Sequence, residues 1–213
     1  MRETSKRQLD HIVYTVFDLD NAISDFEQKL GVRAIFGGYH KTFGTKNALI
    51  NLDRGMYLEL LAADDTNTMV KHPRWMGTDI LTQNQITRWA LKSEQLDTDS
   101  SILKTYNTKM GSISVGSRNT AKGSLLKWKL ALPLPTPEVE IMPFMVDWGQ
   151  TATHPNDELP NMGCKLVELY GTHPDPDQFG ETFEKLGLEF RIKKAEKIVL
   201  KAILKCPKGT IEI

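Results

Sequence analysis

One arrangement recurs along this chain: a short apolar run, an acidic turn and an amphipathic helix. The acidic turn contains Asp20 in its first occurrence, Asp97 in its second and Asp177 in its third, so the spacings are 77 and 80 residues. A period of this size indicates one supersecondary unit that is present three times. Such a chain folds by setting similar units against one another, and this limits the architectures open to it.

The first copy can be interpreted element by element. Residues 11–17 alternate between two largely apolar faces, with His11 on one of them, as in a strand covered on both sides. Asp20 is a candidate N-cap for a helix that Gly31 ends. Three further strands are predicted at 34–39, 48–52 and 56–61. The order of elements is therefore β-α-β-β-β.

The remaining two copies repeat this order. The second lies between residues 87 and 146 and the third between residues 165 and 213. We therefore predict an α+β fold in which repeated β-α-β-β-β modules form curved mixed sheets around a cleft. The expected organisation is two modules in residues 1–150, a Pro-rich surface connector at 151–163, and a third module in residues 164–213.

The composition excludes several classes of partner. The 213 residues include 27 Lys and Arg against 27 Asp and Glu, so no whole-chain field attracts nucleic acid or an anionic membrane. No apolar run is long enough to span a bilayer, and the polar start does not resemble a signal peptide. A cytoplasmic protein is expected. Cys164 and Cys206 are too few for a disulfide framework, and we expect each to be a small buried hydrophobe.

Two residues stand out as candidates for chemistry. His11 lies on an otherwise apolar strand face, and Glu59 lies among leucines in the fourth predicted strand. A buried carboxylate is costly unless it is paired or bound to a cation. Imidazole and carboxylate together suit a divalent metal such as Zn, Fe, Mn or Ni. The alternative is structural: Glu59 forms a salt bridge with Arg54 or Arg33, and His11 makes a hydrogen bond in the core.

Five short segments of the first two modules carry a family resemblance. They are Asp10-His11, Gly37-Gly38-Tyr39-His40, Gly44-Thr45-Lys46-Asn47-Ala48, Tyr57-Leu58-Glu59-Leu60 and Pro143-Phe144-Met145-Val146-Asp147-Trp148-Gly149. Together they resemble the glyoxalase-like domain family of the vicinal oxygen chelate superfamily. The resemblance covers modules one and two, and it reaches the third module only through the repeat.

The resemblance implies a cleft in which the first and fourth strands of each module supply a histidine and a glutamate to a divalent metal. Such a metal stabilises an enediolate or activates dioxygen. In module one, His11 and Glu59 match these positions. In module two, the repeat places Arg88 at the histidine position and Asp147 or Val146 at the glutamate position. Arginine cannot ligate a metal, but it can clamp a substrate carboxylate.

The third module offers an alternative set of ligands. By the repeat, Glu168 aligns with His11, and Glu212 aligns with Glu59. These four residues would form an oxygen-rich metal site if modules one and three closed the cleft. If modules one and two close it, the ligands are His11, Glu59 and Asp147. We expect the second pairing because the resemblance is strongest there.

Three further residues are expected to contact a substrate. His40 and Asn47 flank the Gly-Thr turn, where they can hydrogen-bond a ligand at the cleft mouth. The alternative role for both is turn formation, which Asn performs well. Trp148 ends a strand and is a candidate for the pocket wall, with core packing as the alternative.

These residues lead to two functional hypotheses. The first is a metal-dependent lyase, isomerase or dioxygenase that acts on a small oxygenated metabolite, with Glu59 as the catalytic proton shuttle. The second is a non-catalytic protein that binds or sequesters a small molecule in the same cleft, which the presence of Arg88 at a ligand position favours. In addition, the odd third module predicts a homodimer, because pairing across a two-fold axis would bury its open face.

Overall fold

The computed structural model of the protein describes residues 7–119, 123, 125–149 and 154–213. Its helices are α1 (Leu19–Leu30), α2 (Leu96–Tyr106), α3 (Pro155–Glu158) and α4 (Gly180–Leu186), with 3-10 turns at Trp75–Gly77 and Pro176–Phe179. Its strands are β1 (Leu9–Thr15), β2 (Ile35–His40), β3 (Thr45–Asn51), β4 (Tyr57–Ala63), β5 (Gln85–Lys92), β6 (Ile113–Asn119), β7 (Leu125–Ala131), β8 (Phe144–Asp147), β9 (Lys165–His173), β10 (Arg191–Lys194), β11 (Val199–Cys206) and β12 (Gly209–Glu212). The predicted order of strands and helices is therefore present in all three segments.

Helix α1 shows how local sequence sets these elements. Its N-cap is Asp18, whose carboxylate accepts a hydrogen bond of 2.8 Å from the backbone N–H of Asn21. The prediction that Asp20 is the cap was wrong: Asp20 lies in the first turn, where its charge favours the helix dipole. Gly31 ends the helix in the left-handed conformation at φ 78°, as predicted.

The first two modules form one eight-stranded mixed sheet. Its strand order is β2-β3-β4-β1-β5-β8-β7-β6. In each module the first strand pairs in parallel with the fourth, and β1 pairs antiparallel with β5 where the modules meet. The sheet curves until its two edge strands meet, since the Arg118 side chain on β6 donates to the carbonyl of Gly37 on β2. The predicted fold of curved mixed sheets around a cleft is thus confirmed.

The third segment has the predicted order of elements but a different pairing. Its sheet runs β10-β9-β11-β12, so the first strand of the segment lies between the second and the third. In modules one and two the first strand instead pairs with the fourth. The expectation of a third copy of the same module was therefore wrong at the level of topology. A sequence period reports the order of elements, whereas strand pairing depends on which neighbour covers each face.

The C-terminal sheet packs on the outer face of the large sheet. Phe190 stacks on Trp89 of β5 with ring centroids 4.4 Å apart, and Phe179 contacts Tyr106 of α2 at 6.1 Å. Both sheets share one hydrophobic core. The open face that motivated the predicted homodimer is therefore covered within the chain, and the homodimer itself stays a prediction.

A disulfide bond joins Cys164, just before β9, to Cys206 at the end of β11. Both cysteines are buried, as expected, but the prediction that they are unlinked was wrong. The two cysteines are separated by 42 positions in the sequence, and the antiparallel pairing of β9 with β11 brings them together. Within the described part of the chain, none of the helices has the length and apolar character that a membrane crossing requires.

Candidate functional site

A pocket opens on the concave face of the large sheet, between modules one and two. It contains about 360 Å³ of empty space, counting its open mouth. Module one contributes His11, His40, Asn47, Tyr57 and Glu59, and module two contributes Arg118, Trp128, Leu130, Phe144, Val146 and Trp148, with Trp75 and Pro155 from connecting segments. The expected closure of the cleft by modules one and two is the arrangement found.

A β-bulge brings two adjacent side chains to the same side of β1. Leu9 pairs with Leu91 and His11 pairs with Ala90, so Asp10 is an extra residue in the ladder. Bulges re-aim side chains in this way. The carboxylate of Asp10 accepts a hydrogen bond of 2.6 Å from Nδ1 of His11. That bond places the ring proton on Nδ1 and leaves the Nε2 lone pair of His11 facing the pocket.

Two more donors hold the Asp10 carboxylate. Its Oδ2 atom accepts hydrogen bonds from Nε1 of Trp148 at 2.8 Å and from Nε2 of His154 at 3.0 Å. Nδ1 of His154 accepts from the backbone N–H of Asn156, which leaves the ring proton on Nε2. Burial alone would raise the pKa of Asp10, but the hydrogen bonds and charges of His11 and His154 outweigh it and lower the pKa. Asp10 is therefore a buried anion behind His11.

Glu59 faces His11 from strand β4. Its Oε2 atom lies 3.6 Å from Nε2 of His11, and its Oε1 atom accepts a hydrogen bond of 2.6 Å from Nδ2 of Asn47. The predicted proximity of His11 and Glu59 is therefore present. The alternative of a salt bridge from Arg33 to Glu59 was wrong, since Arg33 pairs with Glu27.

His40 and Asn47 form a buried chain behind Glu59. Nδ2 of Asn47 lies 3.4 Å from Nε2 of His40, and Nδ1 of His40 lies 3.0 Å from the hydroxyl of Thr45. Burial lowers the pKa of His40 to about 4, so this ring is neutral at pH 7. Both residues line the pocket. They lie behind Glu59 and not at the cleft mouth, and their hydrogen bonds hold the Glu59 carboxylate in place.

Gly37 explains part of the motif between β2 and β3. A Cβ atom at this position would lie 2.4 Å from Oδ1 of Asn47. Any larger residue would therefore displace Asn47 and release the Glu59 carboxylate. Gly37 thus leaves room for the Asn47 side chain that holds the Glu59 carboxylate.

Module two presents a different wall. In module one, Val13 of the first strand pairs with Glu59 of the fourth strand. Ala90 corresponds to Val13 because it lies 77 residues later, and it pairs with Phe144 of the fourth strand of module two. Phe144 therefore occupies the position that corresponds to Glu59, where Asp147 or Val146 was expected. Val146 lines the pocket, but Asp147 does not, because strand alternation turns it to the outer face, where it caps the N–H of Gly149 at 2.6 Å.

Arg88 is not placed to clamp a substrate. Its side chain is fully buried, and its guanidinium donates to backbone carbonyls at Leu134, Thr136 and Glu138 as well as to its neighbour Thr87. Burial lowers the pKa of Arg88 to about 10, which still leaves it charged at neutral pH. The expected substrate-binding role was therefore wrong. Arg88 instead stabilises the loop at residues 134–138 through hydrogen bonds to its backbone carbonyls.

The alternative ligands of the third segment lie on the second sheet, away from the pocket. Glu168 pairs with Arg191 at 2.8 Å. Glu212 accepts a hydrogen bond of 2.8 Å from Tyr170 and pairs with Lys201. The set of His11 and Glu59 with these two carboxylates is therefore not brought together.

The residues present do not fit a divalent metal. In module one, Nε2 of His11 and the carboxylate of Glu59 face each other and could both ligate a metal. The opposite wall of the pocket consists of Phe144, Trp128 and Leu130, which have no ligating atoms that suit a metal. Zinc and the other transition metals expected here are held by three or four protein ligands in a fixed geometry. Among the described residues, no group of three or more His, Cys, Asp or Glu side chains is placed to hold a metal ion.

Sequence reasoning missed several residues of the site. Asp10 was visible as the neighbour of His11, but strand alternation argued that the two side chains face opposite ways. His154 belongs to the predicted connector, whose residues 151–153 lie outside the described residues. Arg118 carried no signal in the sequence, because its role depends on closure of the sheet.

Comparison with known proteins identifies the family. The family model described as "Glyoxalase-like domain" matches residues 9–187. This chain belongs to the glyoxalase-like domain family. The match extends beyond residue 150, so the family domain includes part of the segment predicted to be a separate third module. No curated protein matches the sequence of this glyoxalase-like chain.

Two solved structures resemble the chain to different degrees. A hypothetical protein from Staphylococcus aureus has a TM-score of 0.68 and 16% identity, and the likeness covers 95% of this chain and 92% of that one. Methylmalonyl-CoA epimerase from Mycobacterium tuberculosis has a TM-score of 0.43 and 18% identity, covering 69% of this chain and 92% of that one. The family model thus shows the glyoxalase-like domain family, and the Staphylococcus aureus protein shares the fold.

Proposed function

We propose that the pocket binds a small organic ligand and moves a proton on it without a metal. The observation that carries the proposal is the arrangement of Asp10, His11 and Glu59. Asp10 holds the proton of His11 on Nδ1, and the free Nε2 atom lies 3.6 Å from the Glu59 carboxylate, inside a largely apolar pocket. His11 is the base, and Glu59 is the second acid–base group.

The physical reasons support this assignment. When His11 takes a proton, the buried anion of Asp10 stabilises the imidazolium that forms. The rings of Tyr57 and Phe144 fix the imidazole, with Tyr57 stacked on it at 4.7 Å and Phe144 edge-on at 5.4 Å. Walls of this kind exclude water and strengthen the electrostatic interactions inside. A positioned base of this type contributes about 100-fold to 10,000-fold to a proton transfer.

Among the predicted reactions, isomerisation and elimination fit this pair best. Both begin when a base removes a proton from a carbon next to a carbonyl, and both end when a proton returns to a neighbouring atom or a group leaves. Lewis-acid or dioxygen chemistry needs a donor set that the pocket wall of module two does not supply.

Exchange of substrate protons with solvent tests the proposal. Small oxygenated metabolites that raise the melting temperature would be incubated with the chelator-treated protein in D2O and followed by proton NMR. We expect deuterium incorporation that His11→Gln and Glu59→Gln abolish and that Asp147→Asn, a matched change outside the pocket, retains. Exchange that stops after chelation and returns on addition of a metal would contradict the proposal.

A second candidate is a non-catalytic binding protein, which the aromatic side of the pocket favours. Trp75, Trp128, Trp148 and Phe144 all line it, and aromatic rings are suited to holding a flat apolar ligand. The free energy of unfolding of such a protein would rise with the ratio of the free ligand concentration to the dissociation constant. Thermal stabilisation without any proton exchange in D2O would select this candidate over the first.

A further inference from the structure

We infer that Arg118 forms an anion-binding subsite, so that the ligand of this pocket is a small carboxylate with a flat apolar body. The inference rests on the proposed ligand-binding role of the pocket and adds the chemical class of the ligand. It depends on a contrast between Arg118 and the other buried arginines of the chain, and on the rings that lie beside it.

Arg118 is a buried cation that forms no salt bridge with any of the described residues. Arg118 is 8% exposed and lines the pocket, and its guanidinium donates a hydrogen bond to the carbonyl of Gly37. Over the part of the chain that the structure describes, no salt bridge to Arg118 is present, and the carboxylates of Glu59 and Glu158 act on it from more than 4 Å away. A guanidinium has five N–H donors, and an unpaired buried charge is costly. Burial accordingly lowers the pKa of Arg118.

The other two buried arginines show what a structural role looks like here. Arg88 is surrounded by backbone carbonyls that accept from both of its terminal nitrogens. Arg74 donates to two carbonyls, those of Gly44 and Asn67, and has a carboxylate 3.7 Å away. Arg118 faces the pocket and donates fewer hydrogen bonds to the described residues than Arg88 or Arg74 does. Its remaining donors are therefore available to a ligand.

The surroundings of Arg118 select a flat apolar body. Gly116 precedes it by two residues on β6, so both lie on the same face, and the ring of Trp128 lies over Gly116 so closely that a Cβ there would come within 2.3 Å. Trp75 contributes a further ring, and its buried Nε1 donor has no partner among the described residues. A ligand carboxylate at Arg118 would therefore have an aromatic surface beside it.

Benzoate and benzamide provide the test, because they share a flat ring and differ in charge. Binding of each would be measured by isothermal titration to wild type, Arg118→Gln, Arg118→Lys and the exposed control Arg191→Gln. We expect wild type and Arg191→Gln to bind benzoate at least about tenfold more tightly than benzamide, since a hydrogen bond to a charged group contributes that much. Arg118→Gln should remove the preference, and Arg118→Lys should keep part of it.

Several outcomes would overturn the inference. Equal binding of the two compounds to wild type would do so, as would an absence of benzoate binding at millimolar concentration. A Gln variant that weakens both compounds equally would indicate that Arg118 only closes the seam between β6 and β2. If Arg118→Gln does not fold, the wild-type preference and the Arg118→Lys variant still decide the question.

The failure of this inference can be told from failure of the proposed proton transfer. His11→Gln should retain the preference for benzoate while it loses deuterium exchange. If the wild-type protein exchanges deuterium but does not prefer benzoate, the anion subsite alone is overturned. If the wild-type protein prefers benzoate but does not exchange deuterium, the proton transfer alone is overturned.

Discussion

Asp10 and His11 are consecutive residues of one strand, yet their side chains hydrogen-bond to each other at 2.6 Å. The bulge between Leu9 and His11 makes this contact possible, because it removes the alternation that would send the two side chains to opposite faces. The carboxylate then fixes the ring tautomer of His11 without any residue from elsewhere in the fold. In the proposed proton transfer, the base and the group that orients it are therefore adjacent residues.

Asp10→Asn should therefore lower the rate of deuterium exchange more than it lowers the affinity for the ligand. The amide cannot stabilise an imidazolium as a carboxylate does, and it no longer fixes the proton of His11 on Nδ1. We expect deuterium exchange on the ligand to fall by about 100-fold or more with a nearly unchanged dissociation constant. Nitrogen-15 NMR of the His11 ring would report the tautomer directly. An unchanged exchange rate in Asp10→Asn, with the tautomer preserved, would show that Asp10 is only structural.

Phe144→His should create a zinc site that the wild-type pocket lacks. Phe144 occupies the position of module two that corresponds to Glu59, and its ring lies 5.4 Å from that of His11. A third donor there completes the minimum set for zinc. We expect at least about tenfold tighter zinc binding than wild type in competition with a chromophoric chelator.

Asp147→His is the control for that experiment, because Asp147 lies outside the pocket. It should leave zinc affinity at the wild-type value. Stoichiometric, tight zinc in the wild-type protein that His11→Ala abolishes would show that the donors fit a metal after all.

His40 should make stability depend on pH between about 6.5 and about 4. Burial lowers its pKa to about 4 in the folded state, whereas the unfolded chain takes up the proton near 6.5. In this interval the unfolded state binds more protons, so the free energy of unfolding falls as the pH falls. The full difference amounts to about 3 kcal/mol. Urea denaturation at several pH values would measure it.

His40→Gln is the variant that isolates this contribution. Its free energy of unfolding should change less than that of wild type across the same interval, and the two curves should run parallel above pH 6.5. Asp10 acts in a separate interval, because its lowered pKa makes its contribution disappear only as the pH falls below about 4. Identical pH profiles for wild type and His40→Gln would contradict the assignment.

Reduction of the disulfide should loosen the C-terminal sheet. The bond between Cys164 and Cys206 closes a loop of 42 residues across β9 and β11, and such a bond stabilises a domain by about 2–4 kcal/mol. We expect a phosphine reductant to lower the urea midpoint of wild type by a corresponding amount. The double variant Cys164→Ala/Cys206→Ala should have the lower midpoint with or without reductant. Insensitivity of wild type to the reductant would indicate that the two thiols are not linked in solution.

Much of the local structure could be predicted from residue patterns. The order of elements in the first two modules and the glycine that ends α1 follow from residues close together along the chain, and the structure confirms them. The proximity of His11 and Glu59 could also be predicted, because the first and fourth strands of a module pair directly. The role of Asp147 could not, since the register of β8 shifts which residue faces inward.

The residues of this sequence determined by themselves that two similar modules form, and that each turns one face of its first and fourth strands toward the other. Only the tertiary structure decided what meets in the hollow: the bulge that turns Asp10 toward His11, the ring of Phe144 where a carboxylate was expected, and Arg118 at the closing seam. The physical reason is that secondary structure depends on residues a few positions apart. Charge pairing and burial depend instead on which distant strands come into register.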